Sequence, residues 1–477
     1  MAARVIDAGF ALVYLRLLGR TDVGSYQFLV VFTTYLDTLI DFGLNALVAR
    51  EVSCGRVTAA AAFRAVNLLR LGLWLVGLVP VAVVYGPLRP ATNLSAEAGL
   101  AGWVFYLALL PSVLAKTATG VLWAAERLEL SAGVSVLSTV LRTALGAVVL
   151  FGGLGLVGLA TASVATNVIS AVVLWWLAAS RAMASSAQPR VATSELPLAA
   201  EYEGPEPTGE HAGAARWLGE SWPLFVNQLL QGLFFWVDAL LLPGLAGNAV
   251  AGVYAAAYKV AGGAGIVSSS FTLALFPRLA RATDFAGAYR LALRVLLQVA
   301  FPLAAGIALL AEPIVAVVGG RDYLPDSAIA LAILICYLPL SYANGLTQYM
   351  LIAAGRQRLL TGAFVAALIF NLAANLVLIP RFGYVGAAWV TVASEIVLLV
   401  PFRLAAMTAA PGVSLLREAR APLAATVLMA PVVWWLRDSL HPLAAAAAGA
   451  GVYALALWSL GGIDHVQRRL IAQLVVR

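Results

Sequence analysis

Apolar runs of about twenty residues, each closed by a short stretch of Gly, Pro, Arg or Asp, recur along most of the chain. That is the length a helix needs to cross a hydrocarbon core. The pattern predicts helices over 1–18, 26–49, 65–86, 100–124, 132–151 and 156–180. After a break it predicts six more over 219–243, 250–277, 290–318, 327–353, 359–379 and 384–408, followed by two over 421–436 and 442–461. Between 181 and 217 the apolar pattern gives way to Ser, Pro, Gly and Glu, a composition that cannot bury a core and predicts a flexible linker. The expected fold is an all-α polytopic membrane protein of about fourteen transmembrane helices. Its expected parts are an N-lobe over 1–180 (helices 1–6), the linker over 181–217, a C-lobe over 218–408 (helices 7–12), helices 13–14 within 409–462, and a tail over 463–477 that reads as a short interfacial helix.

The two lobes repeat one another. LLGRTDVGSY at Leu17–Tyr26 returns as LAGNAVAGVY at Leu245–Tyr254, an offset of 228 residues. At the same offset Arg50 meets Arg278, and GLVGLATASVATN at Gly155–Asn167 meets GYVGAAWVTVASE at Gly383–Glu395. VLWAAERLEL at Val121–Leu130 matches MLIAAGRQRL at Met350–Leu359 one residue further on. A near-constant offset across separated segments that match in Arg, Tyr and Gly as well as Ala is the signature of a duplicated half. The repeat also predicts that the counterpart of helix 7, which begins near Glu220, would begin about eight residues before Met1, so the first helix is expected to be clipped. No signal-peptide cleavage pattern accompanies that first span.

Composition agrees with the pattern. A chain that is 62% hydrophobic and 11% charged, with a mean hydropathy of +0.92, has more apolar surface than a water-soluble globule can hide. The net charge of +7 would point to nucleic acid in a soluble protein, but here the arginines are sorted by loop, and no nucleic-acid partner is expected. Eighteen arginines, among them Arg50, Arg56, Arg127, Arg216, Arg356 and Arg420, fall on one side of the predicted spans and five on the other, Arg20, Arg89, Arg321, Arg381 and Arg437. By the positive-inside rule both termini and the linker are cytoplasmic. Cys54 and Cys336 stand alone and the three histidines are scattered, so neither a disulfide framework nor a metal site is expected, and no cofactor. Gly153, Gly155 and Gly158 satisfy GxGxxG, but no strand precedes them in a soluble βαβ unit, and close helix packing is the role expected of them.

The chemistry is expected in charges that the spans should not contain, because an ionised side chain at mid-bilayer costs about 2.5–3.5 kcal/mol on insertion scales and asks for a partner or a wet cavity. Lys116, Arg142 and Lys259 are the strongest anion-site candidates, with Arg4 beside them. Asp37, Asp41, Asp238 and Glu395 are candidates for coupling to an ion; Glu395 stands where the first half has Asn167. The alternative is that the basic residues merely pair with Asp37, Asp41 or Asp238 to lock helices together. Arg70, within two turns of the cytoplasmic face, is expected to snorkel, and Glu312 to sit at a rim. Asn227, Gln228 and Gln231 share a face of helix 7 and are candidate substrate contacts, with interhelical hydrogen bonding as the plainer role; Asn371 and Asn375 are spaced alike in helix 11.

FGYVGAAWVTVASE (Phe382–Glu395), GGRDYLPDSAIALAIL from Gly319, LIAAGRQR (Leu351–Arg358), FPRLAR (Phe276–Arg281) and DFGLNALVARE (Asp41–Glu51) together resemble the polysaccharide transporter and oligosaccharide flippase family of the multidrug, oligosaccharidyl-lipid and polysaccharide exporter superfamily. The resemblance covers nearly the whole chain. It implies two six-helix lobes around a central cavity that alternates its opening, and a cargo of oligosaccharide on a polyprenyl diphosphate moved to the outer leaflet of a prokaryotic cell membrane for cell-surface polysaccharide biosynthesis. It implies drive by a proton or sodium gradient, not ATP, and contacts with membrane lipids, a polysaccharide polymerase and glycosyltransferases. Two further classes within the superfamily fit the same pattern, a multidrug exporter and a peptidoglycan-precursor flippase. A membrane glycosyltransferase or polymerase fits less well, since the outer loops are short.

Overall fold

The computed structural model describes residues 2–182, 214–280, 284–356 and 358–463; most of the expected linker (183–213) and the expected tail helix (464–477) lie outside them. The described residues are helical throughout, with no strand among them. Their contacts group into two compact units, Met1–Gly244 and Leu245–Arg477.

The first unit holds α1 (Ala2–Leu17), α2 (Arg20–Asp41), α3 (Leu44–Ser53), α4 (Ala59–Tyr85), α5 (Ala96–Ala124), α6 (Leu128–Phe151) and α7 (Gly155–Leu177), with α8 (Ala214–Ala246) ending at its boundary. Side-chain oxygens open two of these helices: Thr58 accepts from Ala61 N and Ser95 from Ala98 N, satisfying otherwise unpaired first-turn amides. Small residues let α5 approach its neighbours α2, α3, α4 and α7 closely. At Gly102 a Cβ would stand 2.4 Å from the Tyr85 ring.

The predicted second helix, 26–49, is in fact two. Phe42 and Gly43 both take left-handed conformations, φ 48° and 75°, which end α2 and start α3. The break accommodates α8: a Cβ on Gly43 would lie 2.8 Å from Leu224 Cβ, and the Phe42 and Phe225 rings stack with centroids 4.4 Å apart. α8 is held along its length by further points of contact. Trp217 is buried in an apolar cluster with Leu47, Val48, Ala59 and Ala118, Tyr35 donates to Gly232 O, and Asn93 donates to Pro243 O. At the Arg-rich end an ionic knot closes the joint: buried Glu51 accepts from Arg50, Arg56 and Arg216, and Glu220 accepts from Arg50 and Arg216.

The second unit holds α9 (Asn248–Ala280), α10 (Phe285–Leu309), α11 (Ala311–Val318), α12 (Asp326–Leu334), α13 (Leu338–Ala353), α14 (Arg358–Ala409), α15 (Leu415–Leu436) and α16 (Pro442–Ser459). The predicted span 290–318 breaks at Leu310, and a 3₁₀ turn interrupts the span 327–353 at Ile335–Tyr337. α14 runs for 52 residues, about 78 Å at 1.5 Å per residue and far longer than one crossing. It is two helices in sequence, divided at Gly383, whose φ of 54° and ψ of −130° suit glycine alone. α15 and α16 pair tightly, with Gly449 against Val433, and dock on α10 through Arg294–Glu418 at 2.6 Å, Tyr453 donating to Gln298 O, and Gln298 donating to Gly462 O.

Twelve described helices are long and apolar enough to cross a membrane. Dividing α14 at Gly383 and adding α1, whose 16 residues fall short of that length, gives the fourteen that the hydropathy pattern predicts. The chain is a multi-pass membrane protein.

Candidate functional site: a polar groove and intramembrane charges

Two polar stripes face each other in the first unit. α5 carries Ser112, Lys116, Thr119 and Trp123, and α6 carries Ser131, Ser135 and Ser138, then Arg142; both sets step by four, three and four residues, the spacing of one helical face. Trp123 Nε1 donates to Ser131 Oγ at 3.1 Å, which pins the antiparallel register of the pair. Equal rise along both helices then sets Lys116 level with Ser138 and Ser112 level with Arg142. Between the stripes lies a cavity of about 500 Å³, completed by Asn167, Ser170 and Leu174 of α7. Leu137, Val140, Val148 and Phe151 make the exposed apolar face of α6 and lie nearly opposite its serines, so the stripe points away from the surface suited to lipid.

Hydrogen bonds orient the wall. Asn167 Nδ2 donates to Ala108 O at 2.8 Å, while the buried Ser170 Oγ has no partner among the described residues. Lys116 is the ammonium on this wall. Its Nζ lies 2.6 Å from Asp37 Oδ2, and both side chains keep part of their surface open, 30% and 25%. Asp37 Oδ1 is buried without a hydrogen-bond partner among the described residues.

One turn along α2, Asp41 is engaged quite differently. Arg70 Nη2 donates to Asp41 Oδ1 at 2.6 Å, and its Nη1 donates to Val113 O and to Thr117 Oγ1, whose own hydroxyl donates to Asn67 Oδ1. The Arg70 side chain is fully buried, so the snorkelling expected of it is corrected. The reason is the acid: a guanidinium with a carboxylate and two further oxygens in reach gains more by staying inside than by reaching for an interface.

Arg142 meets Asp7 of α1 at 3.2 Å, and both side chains remain about half exposed. The side chain of Arg4 lies outside the described residues. On α8, Gln231 Nε2 donates to Asn227 Oδ1 at 3.2 Å, Gln228 is exposed, and Asp238 is buried with its Oδ1 accepting from Ala239 N.

In the second unit Lys259 is half-buried on α9. Glu395 of α14 is buried and accepts from Asn344 Nδ2 of α13 at 2.7 Å through Oε2 and at 2.9 Å through its own carbonyl. Asn375 donates to Asn371 Oδ1 within one helix, and Asn371 donates across the Gly383 break to Ser394 Oγ, next to Glu395 in the chain. Among the described residues no three His, Cys, Asp or Glu side chains converge as metal ligands.

Of the residues named from sequence, Lys116 pairs with Asp37, and Asp41 pairs with Arg70; the serine stripes, Trp123 and Ser170 were not named. Their signal was the shared spacing on consecutive helices, which single serines in an apolar background do not advertise.

The chain matches the family model described as polysaccharide biosynthesis protein over residues 1–283. It is similar to the solved structure of the lipid II flippase MurJ in an inward closed conformation, with a TM-score of 0.71 and 12% identity over 100% of this chain and 98% of that one. An inward-facing multidrug resistance MATE transporter of the MOP superfamily gives 0.63 and 15%, over 85% and 94%. A MOP superfamily transporter from Pyrococcus furiosus Vc1, with a binding pocket of reverse polarity, gives 0.55 and 15%, over 90% and 94%. No curated protein matches the chain in sequence. Identities this low carry the fold and leave function to the site. The chain belongs to the polysaccharide biosynthesis protein family and has the fold of the MurJ and MATE transporters.

Proposed function

We propose that the protein flips an oligosaccharide carried on a polyprenyl diphosphate from the cytoplasmic to the outer leaflet of a prokaryotic cell membrane, by alternating access, for cell-surface polysaccharide biosynthesis. The observation that carries this is the groove of the first unit, where hydroxyls, an indole and the Lys116 ammonium line one recess. Hydroxyl and amide groups suit sugar hydroxyls, an indole face suits a sugar ring, and a cation suits phosphate or an acidic sugar. Family membership and the likeness to a lipid II flippase support the same cargo class.

In this function Lys116, Arg142, Arg4 and Lys259 contact the anionic part of the cargo, and Asn227, Gln228 and Gln231 hydrogen-bond to it. Asp238 and Glu395 couple movement to a proton or sodium gradient, with Asp37 and Asp41 set beside the cations. Both termini and residues 181–217 lie on the cytoplasmic side, where the eighteen arginines are. The cargo is moved, not altered.

The test is transport in reconstituted vesicles. A fluorescent polyprenyl-diphosphate oligosaccharide and a cationic dye are compared, with and without imposed proton and sodium gradients. Movement of the lipid-linked sugar alone is expected; movement of the dye alone would replace this function with cation export.

A further inference from the structure

Lys116 lines the groove and Asp37 of α2 stands behind it, each the other's ion-pair partner. Asp41, one turn away, is paired with Arg70 through Oδ1, and the fields of both acids reach that guanidinium. Asp37 Oδ1 has no hydrogen-bond donor among the described residues, so its charge is balanced at close range through Oδ2 and the Lys116 ammonium. On α8, which meets α2 where Tyr35 donates to Gly232 O, buried Asp238 is close enough for its charge to act on Tyr35, two positions before Asp37. Of the other helices around Asp37, α5 contributes Lys116, α4 contributes Arg70, and on α1 Asp7 is paired with Arg142. Arg16 and Arg20 stand at the opposite end of α2, about 25 Å away along its axis.

An ammonium that swings to an anion in the groove leaves Asp37. A partly desolvated carboxylate that loses its nearest counter-ion holds a proton more readily, even with the Arg70 guanidinium still in reach. We propose that an anionic group of the cargo and the Asp37 carboxylate are exclusive partners of Lys116, so that loading the groove is linked to uptake of one proton at Asp37. The inference rests on the anionic, lipid-linked cargo proposed above and adds how the groove admits it.

The exchange balances. The Nζ–Oδ2 ion pair is broken, an Nζ–phosphate ion pair is formed, and one proton from the aqueous phase neutralises Asp37. The groove thus gains one negative charge fewer than the cargo brings. By linkage, loading that takes up a proton weakens as pH rises, since the proton it needs becomes scarcer. Because uptake accompanies loading, the proton travels with the cargo. The drive for export then comes from the negative charge that remains on the complex in a potential negative inside, or from a second ion.

The experiment is calorimetric titration of the purified full chain with farnesyl diphosphate as the probe, in two buffers of different ionisation enthalpy and at a series of pH values. The same titration is run on Asp37→Asn and Lys116→Gln. Subtracting the Asp37→Asn uptake from the wild-type uptake cancels the ionisation of the probe. The expected difference is about one proton per probe bound, with wild-type affinity falling about tenfold per pH unit more steeply than that of Asp37→Asn in the titrating range. Lys116→Gln is expected to weaken binding about tenfold or more. Equal uptake by wild type and Asp37→Asn, at matched thermal stability, overturns the proposal. So does binding that Lys116→Gln leaves unchanged, or a wild type that does not bind the probe. None of these outcomes decides the flippase function itself, which stands or falls on the vesicle assay.

Discussion

Arg70 donates to Asp41 from a fully buried position, 2.6 Å from the carboxylate, and the same guanidinium ties the backbone of α5 at Val113 to the helix break that follows α2. Removing one member of such a pair strands the other charge, at a cost of about 3–5 kcal/mol. Arg70→Met alone is expected to lower the thermal midpoint steeply. Asp41→Asn is expected to do the same, and the double variant Arg70→Met/Asp41→Leu to recover much of the loss. Unfolding followed in detergent checks this; a harmless Arg70→Met would mean that the ion pair does not hold α2, α4 and α5 together.

Gly43→Ala meets two obstacles. A left-handed φ of 75° costs an alanine about 1–2 kcal/mol, and the new methyl would press on Leu224 Cβ at 2.8 Å. A drop in stability is expected, accompanied by loosening of α8 that a faster exchange of its amides would report. Gly55→Ala, with φ 68° but open space around it, isolates the first effect from the second.

In the knot around Glu51, three arginines converge on one buried carboxylate, but their side chains are 28–35% exposed, so solvent screens much of the gain. Glu51→Gln is expected to cost about 1–3 kcal/mol, less than a fully buried pair. The loss should shrink at high salt, because the partly exposed arginines are screened. A salt-independent loss would place the effect in packing instead.

Arg142 and Asp7 are about half exposed, so their pair contributes under about 1 kcal/mol to folding. Arg142→Ala is therefore expected to leave a stable protein and to abolish flipping in vesicles. Normal transport by that variant would remove Arg142 from the cargo's path.

Glu395→Gln keeps an oxygen for Asn344 to donate to and removes the charge. Folding is expected to survive, and the dependence of transport on an imposed proton or sodium gradient to disappear. Unchanged gradient dependence would exclude Glu395 as the coupling group.

Hydropathy made the fourteen spans legible, because burying about twenty apolar residues per crossing leaves a coarse pattern that no local detail can erase. It missed what depends on a single backbone angle or on a neighbour in space. Phe42 and Gly43 break a run that reads as continuous, because Phe42 is apolar and carries no turn signal. Arg70 reads as a snorkelling residue because its acid is 29 positions away in the chain. The groove hides in serines, which are common in membrane helices and acquire meaning only when α5 and α6 set their stripes face to face.

The placing of α8 has a consequence for how the duplicated halves relate. By sequence α8 opens the second copy, as α1 opens the first, yet its contacts group it with the first unit. The division by contact therefore falls after α8, at Gly244, about sixty residues beyond the division by sequence repeat near 181, so a chain cut at the repeat boundary would strip the first unit of a helix that carries Trp217, Glu220 and Phe225 into it.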